Sequence, residues 1–415
     1  MAKREKDGEW QRFRVIRQLG SGAFGRTFLV SDSSKSNEEV VIKVPHDKQK
    51  EESLITELMN AGALSASLTG MSHPNICKCL GFGKFEGLYV MILEYIPGKD
   101  LRKIIGPMQI TRPPMPSKRA TEIVTNVCAG LAVAHKVNLL HRDIKPDNIL
   151  IHENDDSPKI LDFGISKIMQ SSGIGSGTVV GTFPYMAPEA LTGHSSMASD
   201  TWSLTVTLYE MITGRLPFWD ENLFVLKQKI DTETPLSPRQ VNPAVDERLS
   251  ALVMRGLSKD PKERFHTAQS MLDALVQTTQ SIADTQNSLE LDLEMPKLRE
   301  ALQSGREADA EQQARKLLER MRRQPKLYMF IGEACNRRQQ YLHAEKIVRQ
   351  GIQECPDHAG LYFYLAPALW NQGGSKQQEA VAALERAVEL GLPSAQAKQA
   401  RNLLRSWGGK GGPRI

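Results

Sequence analysis

Three short motifs in the middle of the chain hold the residues whose types and spacing could do chemistry. Residues 141–148 read HRDIKPDN, Asp162-Phe163-Gly164 follows, and Ala187-Pro188-Glu189 comes next. A carboxylate that can act as a base, a lysine that can face a phosphate and two oxygen ligands for Mg²⁺ come in one order and at one spacing. These motifs therefore predict a site for phosphoryl transfer.

A glycine-rich segment and a lysine lie upstream of these motifs. Lys43 ends the apolar run 40–43, 18 residues after the last glycine of the segment. Glycines between two strands let backbone N–H groups close over phosphate oxygens with no side chain in the way. The segment consists of Leu19, Gly20, Ser21, Gly22, Ala23, Phe24 and Gly25.

Together these motifs resemble those of the eukaryotic-type (Hanks-type) serine/threonine protein kinases, over about residues 10–275. The resemblance implies an α+β bilobal fold, with a small strand-rich N-lobe at about 10–95 and a larger helical C-lobe at about 96–275. It implies transfer of the γ-phosphate of ATP, with Mg²⁺, to serine or threonine hydroxyls of protein substrates.

The resemblance also implies a role for each motif residue. Asp143 would accept the proton of the substrate hydroxyl, Lys145 would neutralise charge on the γ-phosphate, and Asn148 and Asp162 would hold Mg²⁺. Lys43 would contact the α and β phosphates. Besides Lys43, the implied ATP-binding positions are Leu19 to Gly25, Thr27 in place of the family's valine, the gatekeeper Leu93, and the hinge Glu94-Tyr95-Ile96.

The acid that pairs with Lys43 has two candidates in the predicted helix before residue 73. Glu57 is preferred because it precedes a run of small and apolar residues, and Glu52 is the second choice because it lies in a charged first turn. Two anchors of the scaffold are also implied. Glu189 would form a buried ion pair with Arg264, and Asp200 would brace the backbone of residues 141–148.

The segment from Asp162 to Glu189 resembles a kinase activation loop. Arg142 would belong to a basic pocket that grips this loop once it is phosphorylated. Thr178, four residues before Thr182, is the preferred regulatory site, and Ser176 is a further candidate. Thr182 would contact Asp143 and Lys145 and help to select hydroxyl substrates. Residues 182–189, the peptide-seating segment, would place an extended peptide beside the catalytic loop, residues 141–148.

The last third of the chain has a different, repetitive pattern. Gly332, Ala344 and Pro356 are spaced 12 residues apart, and Ala366 follows Gly332 by 34 residues. This spacing resembles tetratricopeptide repeats, whose small residues let paired helices approach closely, although an array of other helical hairpins would show the same period. We therefore expect a linker at 276–292, helical repeats at 293–405 and a flexible tail at 406–415.

Charge and hydropathy restrict the partners. Residues 293–415 carry 20 lysines and arginines against 13 acids, which favours an acidic peptide or protein at the repeats. No basic and aromatic residues interleave as nucleic-acid sites require, and no apolar run is long enough to cross a membrane. With no apolar segment near Met1, the sequence predicts a cytoplasmic protein.

Two readings of the function stand, and a third, a kinase that acts on a small molecule, is disfavoured by Thr182 and residues 187–189, which would seat a peptide. The first is an active serine/threonine kinase, which phosphorylates its own activation loop and recruits partners or substrates through the repeats. The second is a catalytically weak scaffold that binds nucleotide while the repeats mediate protein interaction. Lys43, Asp143, Asn148 and Asp162 are all present, which favours the enzyme.

Overall fold

The computed structural model describes residues 12–21, 25–45, 73–85, 88–107, 112–162, 181–321 and 323–408. The chain divides into two compact units, Met1–Ile282 and Ala283–Ile415. The division falls inside the range 276–292, which we expected to form a linker. Among the described residues, no helix is long and apolar enough to cross a membrane.

The first unit begins with a five-stranded antiparallel sheet of order β1-β2-β3-β5-β4. Because side chains alternate along a strand, Val40, Ile42 and Val44 of the third strand enter the core of the sheet. Val41 and Lys43 consequently point to the opposite face. The strands are β1 Phe13–Ser21, β2 Gly25–Asp32, β3 Glu38–Pro45, β4 Cys79–Phe85 and β5 Leu88–Glu94.

Helices dominate the rest of the first unit, together with a small three-stranded sheet. The strands are β6 Gly98–Asp100, β7 Ile149–His152 and β8 Pro158–Ile160. The described helices are α1 Leu101–Ile105, α2 Ser117–Lys136, α3 Pro188–Leu191, α4 Met197–Thr213, α5 Leu223–Thr232, α6 Pro238–Val241 and α7 Glu247–Gly256. Strands followed by helices are the two-lobed α+β order that the sequence predicts.

Helix α4 lies in the middle of this helical lobe. Of its 17 residues, 16 are buried, so the helix is covered by protein on every side. Leu204 and Leu208 share one core with Val124 and Leu131 of α2. Such a fully buried helix is a rigid support for any residue it carries towards the site.

The second unit is all helical. Helix α8, Ala268–Gln303, begins in the first unit and ends in the second, and it includes the whole of the expected linker. The polar composition of residues 276–292 predicts a linker, and the structure shows that this segment is helical, since threonine, glutamine and serine tolerate a helix. The later helices are α9 Glu307–Arg320, α10 Pro325–Arg337, α11 Tyr341–Glu354, α12 Ala359–Trp370, α13 Lys376–Glu389 and α14 Ser394–Gly408.

Small residues allow these helices to pack closely. A Cβ atom on Gly332 of α10 would lie 2.5 Å from a methyl carbon of Val348 on α11, closer than any real contact. Ala344 and Ala366 are fully buried in the same core. The spacing found in the sequence therefore coincides with points of helix contact. Residues 406–408 of the expected tail belong to α14, and 409–415 lie outside the described residues.

Candidate active site

The buried helix α4 supports the catalytic loop, residues 141–148, through hydrogen bonds to its backbone. Asp200 of that helix accepts the backbone N–H groups of His141 at 2.8 Å and Arg142 at 2.7 Å. The ring of His135 lies 3.0 Å from the same carboxylate. Arg142 has a positive φ of 67°, a strained value for a residue with a side chain, so the bonds to Asp200 offset that strain. Asp200 therefore occupies the bracing position that the sequence predicts.

Three side chains predicted to act together are in contact at the centre of the site. The Nζ atom of Lys145 lies 3.1 and 3.0 Å from the two carboxylate oxygens of Asp143, and it donates to the hydroxyl of Thr182 at 2.6 Å. The Nδ2 atom of Asn148 donates to the Asp143 carboxylate and carbonyl, at 2.8 Å each. Asp143 is therefore oriented from both sides while its side chain stays 20% exposed.

Lys43 reaches the site from β3. It pairs across the sheet with Thr27 of β2 and Met91 of β5, and its Nζ lies 3.0 Å from Oδ1 of Asp162. Asp162 has a positive φ of 59°, so the chain turns two residues after the buried Ile160 at the end of β8. The lysine predicted to face the phosphates and the carboxylate predicted to bind Mg²⁺ thus share one point of the site.

A cleft of about 300 Å³ opens between the two lobes beside Lys43 and Asp162. Its walls include Val41 and the gatekeeper Leu93, which are cross-strand neighbours. Predicted ATP-binding residues that line it are Leu19, Gly20, Thr27, Lys43, Glu94 and Ile96, with Tyr95 between them. Its size and mixture of apolar and charged walls suit a nucleotide.

Two other members of the glycine-rich segment are described, and neither lines this cleft. Ser21 is the last residue of β1. Gly25 begins β2, where a Cβ atom would lie 2.1 Å from the carbonyl oxygen of Val44, so only glycine fits. Gly22, Ala23 and Phe24 lie outside the described residues.

The hinge is fixed by Glu94 itself. Its side chain accepts the backbone N–H of Lys78 at 2.9 Å and the Nζ of Lys159 at 2.8 Å. Its own N–H donates to the carbonyl of Lys78 at 3.0 Å. Because its N–H is used in this way, the backbone of Glu94 would accept a hydrogen bond from a nucleobase at its carbonyl oxygen.

Three further residues with apolar or thiol side chains line the cleft, and the sequence did not indicate them as ATP-binding positions: Cys77, Leu150 and Leu161. Burial raises the pKa of the Cys77 thiol, so this wall is neutral. Leu161 directly precedes the Asp162 motif and Leu150 lies two residues after Asn148. Their closeness to the motifs was the signal that could have found them.

The predicted scaffold pair is present. Arg264 donates to both oxygens of Glu189, at 2.9 and 3.0 Å, and its side chain is fully buried. The guanidinium also lies over the ring of Trp202, 4.5 Å from its centroid. This bidentate pair ties the end of the peptide-seating segment to the helical core.

A second buried cluster, around Arg102, is not indicated by the sequence motifs. Arg102 of α1 donates to both oxygens of Glu210 on α4, at 2.7 and 3.0 Å, and to the hydroxyl of Tyr185. Tyr185 donates in turn to Glu210 at 2.6 Å. Burial and the neighbouring Glu210 raise the pKa of Tyr185 well above its ordinary value, so the phenol stays protonated. No motif contains these residues together.

Several predicted residues cannot be placed. Glu57 and Glu52, the two candidate partners of Lys43, lie outside the described residues, as do Phe163, Gly164, Thr178 and Ser176.

The residues present fit Mg²⁺. Asn148 uses its Nδ2 for Asp143, which leaves the carbonyl oxygen as a ligand, and Asp162 supplies a carboxylate. Mg²⁺ bound with nucleotide typically takes only one or two protein oxygens, because phosphates and water complete the octahedron. In the part of the chain that is described, no group of three or more metal-ligating side chains exists. The oxygen donors of Asn148 and Asp162 suit a Mg²⁺ ion whose other ligands are phosphates and water.

Comparison with known proteins settles the family. Residues 13–276 match the model of the protein kinase domain. The chain belongs to the protein kinase family. The two-lobed fold and the resemblance predicted from the motifs are thereby confirmed.

Bacterial serine/threonine kinases are among the relatives of this kinase chain. It is 31% identical to serine/threonine-protein kinase PrkC of Bacillus subtilis, over 63% of this chain and 39% of the relative. It is 31% identical to serine/threonine-protein kinase PknB of Mycobacterium tuberculosis, over 64% of this chain and 42% of the relative. The chain thus spans about two fifths of the length of these curated relatives.

A solved structure also resembles this kinase chain. The crystal structure of Rad53 in complex with AMP-PNP matches with a TM-score of 0.53 and 25% identity, over 64% of this chain and 65% of that one.

Proposed function

We propose that this chain is a serine/threonine protein kinase that transfers the γ-phosphate of ATP to hydroxyl groups of protein substrates in the cytoplasm. The observation that carries the proposal is the contact of Lys145 with both Asp143 and Thr182 at 2.6 to 3.1 Å. A base, a cation and a substrate-selecting hydroxyl are thereby held at one point. The relatives named as serine/threonine kinases, and the AMP-PNP complex of Rad53, support the same assignment.

The residues suggest how the transfer proceeds. The attacking hydroxyl oxygen forms a bond to the γ-phosphorus as the bond to the leaving ADP oxygen breaks, and Asp143 accepts the hydroxyl proton. Lys145 neutralises charge on the moving phosphoryl group, and Lys43 holds the α and β phosphates. Asn148 and Asp162 would hold Mg²⁺, whose positive charge would offset the negative charge of the phosphates.

The scaffold alternative predicts nucleotide binding without transfer. It is disfavoured because Lys43, Asp143, Asn148 and Asp162 are all present and because Asp143 is oriented by two partners. A protein kept only to bind nucleotide would not need the contact between Asn148 and Asp143.

Transfer is tested directly with purified protein, labelled ATP and Mg²⁺, with and without casein as acceptor. Asp143→Asn should remove at least about 99% of the transfer, because the base is lost while the hydrogen bonds remain possible. Asp155→Asn, on an exposed turn of the same unit, is the matched control. ATP binding by the wild type without any transfer would favour the scaffold.

The same experiment addresses regulation. We propose that phosphate on Thr178 or Ser176 is gripped by Arg142, whose Nε is buried without a hydrogen-bond partner among the described residues. Mass spectrometry of the wild type should find phosphate on one of these two side chains, and Asp143→Asn should lack it. Phosphate confined to residues outside 162–189 would overturn this part.

The second unit is proposed to recruit an acidic peptide or protein through tetratricopeptide-like helical repeats. Lys398, Arg401 and Arg405 form an exposed stripe on α14, a helix with no acidic residue. By contrast, several basic residues elsewhere in this unit pair with acids, as Arg349 does with Glu345 and Glu379. The stripe is therefore the preferred docking surface, by charge complementarity.

Changing the three basic residues of the stripe to glutamate should abolish capture of an acidic protein and leave casein phosphorylation unchanged. The matched control reverses Arg306, Lys316 and Lys346, which are exposed on or beside other helices of the unit. Equal loss in both variants would mean that net charge, and not the stripe, determines capture.

A further inference from the structure

A single guanidinium joins four segments of the first unit. Arg102 lies on α1, directly after the hinge and β6, and donates to Glu210 on α4 and to Tyr185. Its Nε lies 3.6 Å from a carboxylate oxygen of Asp147, an ion pair too long for a hydrogen bond. Its Nη1 also donates to the carbonyl of Gly106 at 2.8 Å, which closes the end of α1.

The burial of this cluster shows that it is a built feature and not a surface pair. Tyr185 is 1% exposed and Glu210 is 5% exposed, while the Arg102 side chain is 14% exposed. A carboxylate this deep is costly without a cation, and the bidentate geometry gives it two charge-assisted bonds. The hydrogen bond from Tyr185 occupies a further lone pair of Glu210.

The position of the cluster relates it to the acceptor, and Asp147, which pairs with Arg102, also lines the nucleotide cleft. Tyr185 ends the turn Phe183–Tyr185, which directly follows Thr182, the residue in contact with Lys145. Asp147 lies between Lys145 and Asn148 on the catalytic loop. Arg102 therefore connects the peptide-seating segment with the loop that carries the base. A protein acceptor must pass between these two segments to bring its hydroxyl to Asp143.

We propose that Arg102 is a positioning residue that fixes the peptide-seating segment against the catalytic loop, so that binding of the protein acceptor depends on it. This inference rests on the proposed kinase function. Lysine cannot take its place, because a point charge cannot span both oxygens of Glu210 and the hydroxyl of Tyr185 together.

The segment has other supports, which is why the effect should be confined to acceptor binding. Ser203 of α4 donates to the carbonyl of Tyr185 at 2.8 Å, and Arg264 holds Glu189 at the other end. Loss of Arg102 would therefore loosen the segment locally, while Lys43, Asp162 and the cleft walls formed by β3 and β5 stay in place.

The test measures steady-state kinetics of the full chain with casein as acceptor, and separately the slow hydrolysis of ATP without an acceptor. In Arg102→Met, KM for casein should rise about tenfold or more, while KM for ATP and the hydrolysis rate stay within about twofold. Arg102→Lys should show a similar rise, which separates positioning from charge.

Two further variants keep the outcome decisive. Tyr185→Phe removes one hydroxyl and no packing, so it should fold and raise KM for casein about threefold. Arg119→Met is the matched control, because Arg119 pairs only at the surface, with Asp156. If Arg102→Met shows no cooperative unfolding transition in urea, it is not folded, and the KM of Tyr185→Phe for casein then tests the proposal alone.

An equal rise in KM for ATP and for casein would overturn the proposal and make the cluster merely structural. Unchanged kinetics in both Arg102→Met and Tyr185→Phe would overturn it as well. Failure of the proposed function is a separate result, since then the wild type itself would transfer no phosphate to casein or to its own chain.

Discussion

At the scale of single residues, Lys145 is the centre of the site. It lies within 3.1 Å of both oxygens of Asp143 and 2.6 Å from the hydroxyl of Thr182. The lysine therefore fixes Asp143, the proposed base, on the catalytic loop and, through Thr182, the start of the peptide-seating segment. Because Thr182 is buried, water cannot easily replace its hydroxyl.

Removal of that hydroxyl should slow transfer. We expect Thr182→Ala to lower kcat about tenfold or more, since a hydrogen bond to a charged group is worth about 1.5–3 kcal/mol and each 1.4 kcal/mol is tenfold in rate. Thr182→Ser keeps the oxygen and should stay within about threefold of the wild type. Rates with casein at saturating ATP measure both. Equal loss in the two variants would show that the methyl group, not the hydroxyl, matters.

The residues of the site differ in how visible they are in the sequence. Asp143, Lys145 and Asn148 could be predicted because they lie within six positions of one another in a diagnostic order. Arg102, Tyr185 and Glu210 could not, because 83 and 108 residues separate the arginine from its two partners. Each is an ordinary residue in its own segment, and only the tertiary fold brings them into contact.

At the scale of elements, alternation along β3 and the burial of α4 do most of the positioning. The run of β-branched residues Val40, Val41 and Ile42 predicts the strand, and the helical period of residues 199–213 predicts the helix. Composition predicts a linker at residues 276–292 but not its conformation, which is helical, because a polar segment can continue a helix when it contains neither glycine nor proline. A polar composition thus indicates exposure more reliably than it indicates a coil.

The packing of α11 against the helices that follow it depends on one carboxylate. Glu345 of α11 accepts from Lys376 of α13 at 2.8 Å, from Gln372 at 2.9 Å and from Arg349 at 2.9 Å. Burial alone would raise the pKa of Glu345, but these donors lower it to about 2. Three segments of the chain are therefore joined by an ionised side chain.

Glu345→Gln should destabilise the second unit in a pH-dependent way. A folded pKa of about 2, below the ordinary glutamate value of 4.5, contributes stability that is present above pH 4.5 and is lost as pH falls through 2. With an allowance for solvent screening, we expect a loss of about 1–2 kcal/mol at pH 7 and almost none near pH 2. Urea denaturation at several pH values measures this, with exposed Glu385→Gln as the control. A difference independent of pH would indicate lost packing instead.

At the scale of the whole molecule, each unit has its own core and its own share of the charge. Along the chain, the last residues of the first core are Leu275 and the partly buried Ile282 of α8, and the first residue of the second core is Leu291. The residues predicted for chemistry that the structure describes all belong to the first unit. The excess of basic residues belongs to the second. This division of core and charge separates proposed catalysis from proposed recruitment.

Deletion of residues 293–415 is therefore expected to leave phosphorylation of casein within a few-fold of the full chain, because no buried residue of the first core is removed. Capture of an acidic protein should be lost, since the stripe of Lys398, Arg401 and Arg405 goes with the deletion. Casein kinetics and a pull-down with the acidic protein measure the two effects, after circular dichroism has established folding. A folded truncation with no activity would contradict a recruiting role, because it would mean that the second unit activates the kinase within the same chain.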